Sequence, residues 1–253
     1  LITAMKEHQK YFAVYDHDGK LMPHFVAVNN TVPREASVVQ RGHERVLRAR
    51  LTDADFFYKE DRKRPLLDRL EDLKRVIYQT ELGTSHDKVA RFTRLSEYLA
   101  STLLPEKTDE VRQIARLCKC DLVTLMVSEF PSLQGVMGKA YAEAEGYPEE
   151  IASGIYEHYL PTRAGGSLPG SGTAAVVSIA DRMDTIAGCF AVGLEPTGSA
   201  DPFALRRHAL AIIRIIEGMK WSLSLTQFID KALDLLSEGI SFDKESIRLK
   251  VIT

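Results

Sequence analysis

The sequence predicts a mainly α chain, a helical bundle preceded by a short β-hairpin portion and a basic helical arm, and three observations carry that prediction. Apolar residues recur at three-and-four spacing from about Glu35 onward, the period of one helix face. Aromatic and β-branched strand-like runs are confined to the stretch before Asn29. Proline and glycine fall between the periodic segments, where breaks belong. The 253 residues are 45% hydrophobic and 27% charged, which is globular composition and length for one large or two modest domains. Thirty-three basic against 35 acidic side chains leave a net charge of -2. That excludes a histone-like polycation and still allows a local basic face. No apolar run approaches the roughly 18–20 residues of a membrane span, and no signal pattern opens the chain. A cytoplasmic protein without a membrane partner is expected. Leu1-Ile2-Thr3 is not a translational start, so the chain reads as an excised piece of something longer.

The elements follow in order. Lys10–Tyr15 and Leu21–Val28 read as strands around the turn Asp16–Lys20. Asp18-Gly19 supplies the positive-φ position that a tight hairpin needs. A two-stranded hairpin is marginal alone, so residues 1–33 are expected to be a portion of a preceding domain or to pack on the helices that follow. From Glu35 the period is helical: Val38, Val39, Val46, Leu47, Leu51 and Ala54 form the apolar stripe, with Arg41, Arg45, Arg48 and Arg50 around it. Phe56-Phe57-Tyr58 and the charged run to Arg64 lead to a break at Pro65. A second amphipathic helix is expected through Leu66, Leu67, Leu70, Leu73, Val76, Ile77 and Leu82, ended by Gly83. Residues 34–80 thus read as a basic helical arm.

Residues 81–220 read as a helical domain. Its segments are Ser85–Thr102, Thr108 to about Val127 (one core helix or a broken pair), Gly135–Gly146, Pro148–Tyr159 and Thr173–Gly193. The last carries small and branched residues nearly all round, so it should be buried. Asp201-Pro202 offers a cap residue followed by proline at the first helical position, starting a helix that runs through Ile216. Residues 221–253 add amphipathic helices at Ser224–Leu236 and Asp243–Val251 that lead to a next domain.

Several motifs bear on chemistry. Gly170-Ser171-Gly172-Thr173-Ala174-Ala175 has the form G-x-G-x-x-A, but the stretch before it is a glycine and proline loop rather than the strand a dinucleotide site requires. A loop ending at a helix cap is the reading it supports. Cys118, Cys120 and Cys189 are expected to be buried, reduced thiols. His86-Asp87, Cys120-Asp121, His158 and Asp181 sit on four helical segments that could meet around a divalent ion. A lone cysteine is a poor ligand among oxygens, and the expectation is a scaffold with no metal and no cofactor. Asp181 and Asp184 share a helix face and are expected to pair with Arg206, Arg207 or a neighbouring helix end, rather than to act as acid and base. The arginine-rich stretch Arg34–Arg75 has acidic residues interleaved, as in a solvated face laced with ion pairs. Guanidinium also suits phosphate, and Phe56-Phe57-Tyr58 could stack on bases. Arg41, Arg45, Arg48, Arg50, Arg62, Lys63, Arg64, Arg206 and Arg207 are therefore the candidates for RNA contact.

Taken together, the strings Met5-Lys6-Glu7-His8-Gln9-Lys10-Tyr11-Phe12, Glu44–Leu51 with Phe56-Phe57-Tyr58, and Lys119-Cys120-Asp121-Leu122 resemble the bacterial glycine–tRNA ligase beta subunit family. So do Gln134-Gly135-Val136-Met137-Gly138, Ile179–Thr185 and Asp201-Pro202-Phe203-Ala204-Leu205-Arg206-Arg207, in the same order along the chain. The resemblance implies an enzyme of two alpha and two beta subunits. ATP and Mg would serve glycine activation on alpha, while beta binds tRNA(Gly) and is needed for aminoacyl transfer. It also implies that residues 81–220 are an HD-like domain, that the chain is a central segment without catalytic residues, and that its partners are alpha and tRNA rather than DNA. The metal positions of that fold correspond to Cys120, Asp121 and Asp181, and the departure at Cys120 counts against phosphohydrolase activity. The rival readings are a metal-dependent HD-type phosphohydrolase and a pure inter-subunit scaffold.

Overall fold

The computed structural model describes residues 2, 5, 6 and 10–252; of the expected N-terminal portion, residues 1, 3, 4 and 7–9 lie outside the described residues. The architecture is mainly α. Helices α1 (Ala36–Asp61), α2 (Ser85–Leu103), α3 (Thr108–Leu117), α4 (Leu125–Glu129) and α5 (Val136–Ala144) come first. They are followed by α6 (Glu149–Glu157), α7 (Gly172–Ala191), α8 (Leu205–Met219), α9 (Leu225–Ser237) and α10 (Lys244–Ile252). Two short hairpins pair β1 (Tyr11–Tyr15) with β2 (Leu21–Ala27), and β3 (Ile77–Gln79) with β4 (Gly83–Thr84). The chain divides into two compact units, one holding the residues up to Arg64 with Thr124–Leu133, the other Pro65–Val123 with Gln134 onward.

In the first unit the expected hairpin is present, with Tyr11 opposite Ala27, Phe12 opposite Val26 and Ala13 opposite Phe25. Gly19 takes φ 77° in the turn, and Asp16 Oδ1 accepts the N–H groups of Asp18 (3.0 Å) and Lys20 (2.8 Å). One face of the hairpin is anchored by Tyr11, whose hydroxyl meets His43 Nδ1 at 3.0 Å. Along α1 the buried residues are Leu47, Ala54 and Asp61, seven apart and hence on one side. Val38 and Val46, expected in the apolar stripe, are instead 52% and 43% exposed, because they lie round the helix from Leu47. Asp61 is buried for a reason outside its own helix: its carboxylate accepts the N–H groups of Leu125 (2.9 Å) and Met126 (3.0 Å) at the start of α4. Those donors have no partner within α4. Asp61→Ala is expected to cost about 1–3 kcal/mol by leaving them unsatisfied. Urea unfolding checks this, and a loss within a few tenths of a kcal/mol would show that water replaces the carboxylate.

The second unit is organised on α7. Residues 173–180 and 182–189 are buried, as the all-round apolar sequence predicts, and α2, α3, α6, α8, α9 and α10 all pack against it. α2 starts at Ser85 behind a capping box, in which Thr84 Oγ1 accepts the Asp87 N–H and Asp87 accepts the Thr84 N–H. The Thr108–Val127 stretch is broken: α3 stops at Leu117, a 3-10 turn covers Cys120–Val123 and α4 follows. All three cysteines are buried and free.

Two expectations fail here. Leu66–Leu82 is not one amphipathic helix but a 3-10 segment, Leu67–Arg75, followed by the β3–β4 hairpin. Leucines three apart fit a helix of three residues per turn as well as an α-helix, and Val76-Ile77-Tyr78 favours strand. The hairpin closes at Gly83, with φ 87°, where a Cβ would lie 2.6 Å from the Asp87 carboxylate. At the other site, α8 begins at Leu205 rather than Pro202, because Ala204 takes the left-handed φ of 56°. Asp201 caps from a distance, its carboxylate accepting the N–H groups of Leu205 (2.7 Å) and Arg206 (3.1 Å).

Candidate functional site

The second unit contains a nearly enclosed polar centre. Asp181 on α7 is flanked by two ammonium groups: Lys119 Nζ lies 2.8 Å from Oδ2 and Lys88 Nζ 2.9 Å from Oδ1. One turn on, Asp184 receives Lys88 at 3.2 Å and Arg91 Nε at 2.8 Å. Lys88 also donates to Thr185 Oγ1 (2.8 Å) and lies over the Tyr78 ring. Lys119 reaches His158 Nε2 at 2.8 Å, while His158 Nδ1 donates to the Ile155 carbonyl (2.6 Å). Of the expected partners of Asp181 and Asp184 (Arg206, Arg207 or a neighbouring helix end), the structure supplies the last: Lys88 and Arg91 come from the first turns of α2, joined by Lys119. Arg206 and Arg207 are exposed on α8 and carry no ion pair among the described residues.

The electrostatics follow from this packing. Burial pulls the Asp181 carboxyl up, but Lys119 and Lys88 outweigh it and hold it well below the carboxylate range. Burial disfavours the charged form of Lys88, yet Asp181 and Asp184 raise its pKa above the ordinary lysine value. His158 is driven well down by burial and by the Lys119 charge, consistent with a neutral ring accepting at Nε2. Asp121 lies apart from Asp181, accepting the N–H groups of Gly135 (2.5 Å) and Gly138 (3.0 Å). Burial pushes its carboxyl up to about 6.

These residues do not fit a bound metal. An ion bridging Asp181 Oδ2 and His158 Nε2 would sit about 2 Å from each, in the space where Lys119 Nζ already meets both at 2.8 Å. Burial and the Asp121 charge push the Cys120 thiol up to about 12, so it is no thiolate ligand at neutral pH. His86 faces Glu71 at 3.7 Å, and Asp87 is spent on its cap. Among the described residues no group of three or more His, Cys, Asp or Glu side chains could hold a metal ion. The G-x-G-x-x-A loop is likewise filled from within, since Glu157 accepts the N–H groups of Gly170 (2.8 Å) and Ser171 (3.3 Å).

The candidate RNA-contacting residues separate by environment. Arg41, Arg45 and Arg48 are exposed, carry no ion pair among the described residues, and line the side of α1 away from Leu47 and Ala54. Arg50 faces the packing side and pairs with Glu129 at 2.8 Å. Arg62 lies over the Tyr58 ring, Lys63 pairs with Glu60, and Arg64 is exposed. The residues that sequence reasoning missed are Lys88, Arg91 and Lys119. A signal existed for Lys88: it falls on the same face of α2 as buried Phe92 and Leu95, and a charge on an apolar stripe calls for a buried partner.

A family model described as glycyl-tRNA synthetase beta subunit matches residues 1–252. The chain is 55% identical over 247 residues (98% of its length) to the glycine–tRNA ligase beta subunit of Geotalea uraniireducens. It is 54% identical over 252 residues (100% of its length) to that of Geobacter metallireducens. These relatives define the class, the subunits of aminoacyl-tRNA ligases. The chain belongs to the glycyl-tRNA synthetase beta subunit family, and it spans 36% and 37% of the length of the two relatives. No helix among the described residues is long and apolar enough to cross a membrane.

Proposed function

We propose that this chain is the central segment of a cytoplasmic glycine–tRNA ligase beta subunit, contributing to tRNA binding and subunit assembly in the attachment of glycine to tRNA(Gly). ATP, Mg and adenylate formation belong to the complete enzyme and its alpha subunit. Residues 81–220 are then an HD-like domain in which Lys88 and Lys119 occupy the oxygens of Asp181, which disfavours the phosphohydrolase reading. The observation that carries the RNA-binding part is the α1 stripe of Arg41, Arg45 and Arg48, four and three residues apart and free of internal ion pairs among the described residues. Guanidinium groups that have not been neutralised by the protein are available for phosphate, and such contacts release counterions. In the full-length tetramer, Arg45→Ala with Arg48→Ala is expected to weaken tRNA binding and make its salt dependence shallower by roughly 0.7–0.9 in log–log slope per lost contact. An unchanged slope and affinity, with folding intact, would reduce the stripe to solvated surface.

A further inference from the structure

We infer that Phe56 is a base-stacking residue: α1 lies along one strand of the bound RNA, its arginines on neighbouring phosphates, at a place where a stem gives way to unpaired nucleotides. The inference rests on the RNA-binding reading above and names the RNA element that this helix takes. At about 3.6 residues per turn, Arg41, Thr52 and Phe56 fall within about 40° of Arg45 around the helix, and Arg48 within about 60°. All five are exposed. Arg41 to Arg45 is a step of about 6 Å along the axis and Arg45 to Arg48 one of about 4.5 Å, the scale of neighbouring phosphates in one strand. Phe56 stands about 16 Å beyond Arg45 on the same side. Between Arg41 and Phe56 no carboxylate shares that side. Two that flank it are engaged elsewhere, Glu44 accepting from Gln40 (3.0 Å) and Asp55 pairing with Lys59 (2.5 Å).

Of the three aromatic residues at 56–58, Phe56 is the one offered to solvent. Its side chain is 55% exposed, with the Phe57 ring edge-on at 5.9 Å. Phe57 and Tyr58 are half-buried, and Arg62 already covers the Tyr58 ring. Charge and the ring together select the occupant. An apolar protein surface would cover Phe56 but bury three unpaired guanidinium groups, which is costly. An acidic one would neutralise the arginines and set carboxylates against the ring. An RNA strand supplies phosphate for the arginines and, where its bases are unpaired, a π-face for Phe56. Inside a paired stem the base faces are stacked on one another and out of reach of the ring. Gly42 fits the same occupant. It is exposed in mid-helix, where glycine is a poor helix former, and a Cβ there would meet nothing within 4 Å. No packing among the described residues requires glycine at that position, and its bare backbone lets a phosphate strand approach between Arg41 and Arg45.

The test is Phe56→Leu in the full-length tetramer, binding tRNA(Gly) and, at low salt, a blunt and fully paired RNA duplex. Leucine keeps apolar area and has no π-face. The expected result is tRNA binding weaker by about fivefold or more, with the log–log salt slope unchanged because no phosphate contact is lost. Affinity for the duplex and the melting temperature of the beta subunit are expected to stay as they are. Phe56→Trp, which stacks, is expected to bind tRNA at least as tightly as the unaltered enzyme. Unchanged tRNA affinity in Phe56→Leu, or an equal loss for both RNAs, would overturn the inference. So would a loss in Phe56→Trp as large as in Phe56→Leu. A lower melting temperature of the Phe56→Leu subunit would mean that polypeptide packs on the ring, and overturns it too. Arg45→Ala with Arg48→Ala separates the two failures. An unchanged slope there sinks RNA binding by α1 altogether, whereas a shallower slope beside an indifferent Phe56 sinks the stacking alone.

Discussion

Lys88→Met is expected to destabilise the second unit by about 3–5 kcal/mol, the cost of removing one member of a buried ionic cluster. Methionine keeps much of the volume, so the loss reports charge and hydrogen bonding more than a cavity. Lys88 Nζ lies within 3.2 Å of Asp181 Oδ1, the Asp181 carbonyl, Asp184 Oδ2 and Thr185 Oγ1. Without it Asp181 keeps Lys119 and Asp184 keeps Arg91, but each carboxylate loses one of two cations in a nearly water-free place. The pairing itself can be separated from packing by a double-mutant cycle. Lys88→Met together with Asp184→Asn should cost less than the sum of the two single changes by about 1 kcal/mol or more, as residues in one network do. Urea unfolding at neutral pH measures all three variants. A single-variant loss below about 1 kcal/mol would mean that water enters and solvates the carboxylates.

The cluster also shows where reading the sequence stops. The hairpin around Asp18-Gly19, the start of α1 after Glu35, the start of α2 at Ser85 and the burial of α7 all follow from signals within a few residues of each other. Ion pairs joining Lys88 to Asp181 and Asp184 span more than ninety positions, and no local period encodes them. Asp61 is similar: its own helix gives it no reason to be buried, and its partners lie in α4, sixty-odd positions on. Where local signals did mislead, two of them competed. In Leu66–Leu82 the leucine spacing argued for helix and Val76-Ile77-Tyr78 for strand. At Asp201-Pro202 the cap was real, but it reached over a left-handed Ala204 to a helix that starts later. The basic stripe of Arg41, Arg45 and Arg48 was legible because helical spacing alone places the three together. Which arginines stay unpaired was not, since Arg50 is neutralised by Glu129 from a distant part of the chain.

Acidification from pH 7 to about pH 5 is expected to cost stability, and His158 and His208 are the residues that make it so. His158 Nδ1 donates to the Ile155 carbonyl, and its Nε2 accepts from the Lys119 ammonium. Protonation at Nε2 would set a second positive charge against the first, inside the protein. The folded ring therefore stays neutral well below 6.5, whereas in the unfolded chain it protonates near that value. A group with a lowered folded pKa binds more protons when unfolded, so stability falls as pH drops through the unfolded value. At pH 5 the term can reach about 2 kcal/mol, the ceiling set by protonation of the unfolded imidazole. His208, lowered to about 4 by burial and the Arg182 charge, acts in the same direction. Asp121 acts oppositely: with a folded pKa of about 6, it takes up its proton more readily when folded and returns about 1 kcal/mol over the same range. Asp181, held well below the carboxylate range, loses its contribution only below about pH 4 and does not enter. The net expectation is a loss of roughly 3 kcal/mol between pH 7 and 5. His158→Gln retains an acceptor for Lys119 but cannot titrate, so its stability profile should be flatter than that of the unaltered chain by about 2 kcal/mol across this window. Parallel profiles for the two proteins would mean that Lys119 leaves the ring when it protonates, and that the polar centre is looser than its hydrogen bonds imply.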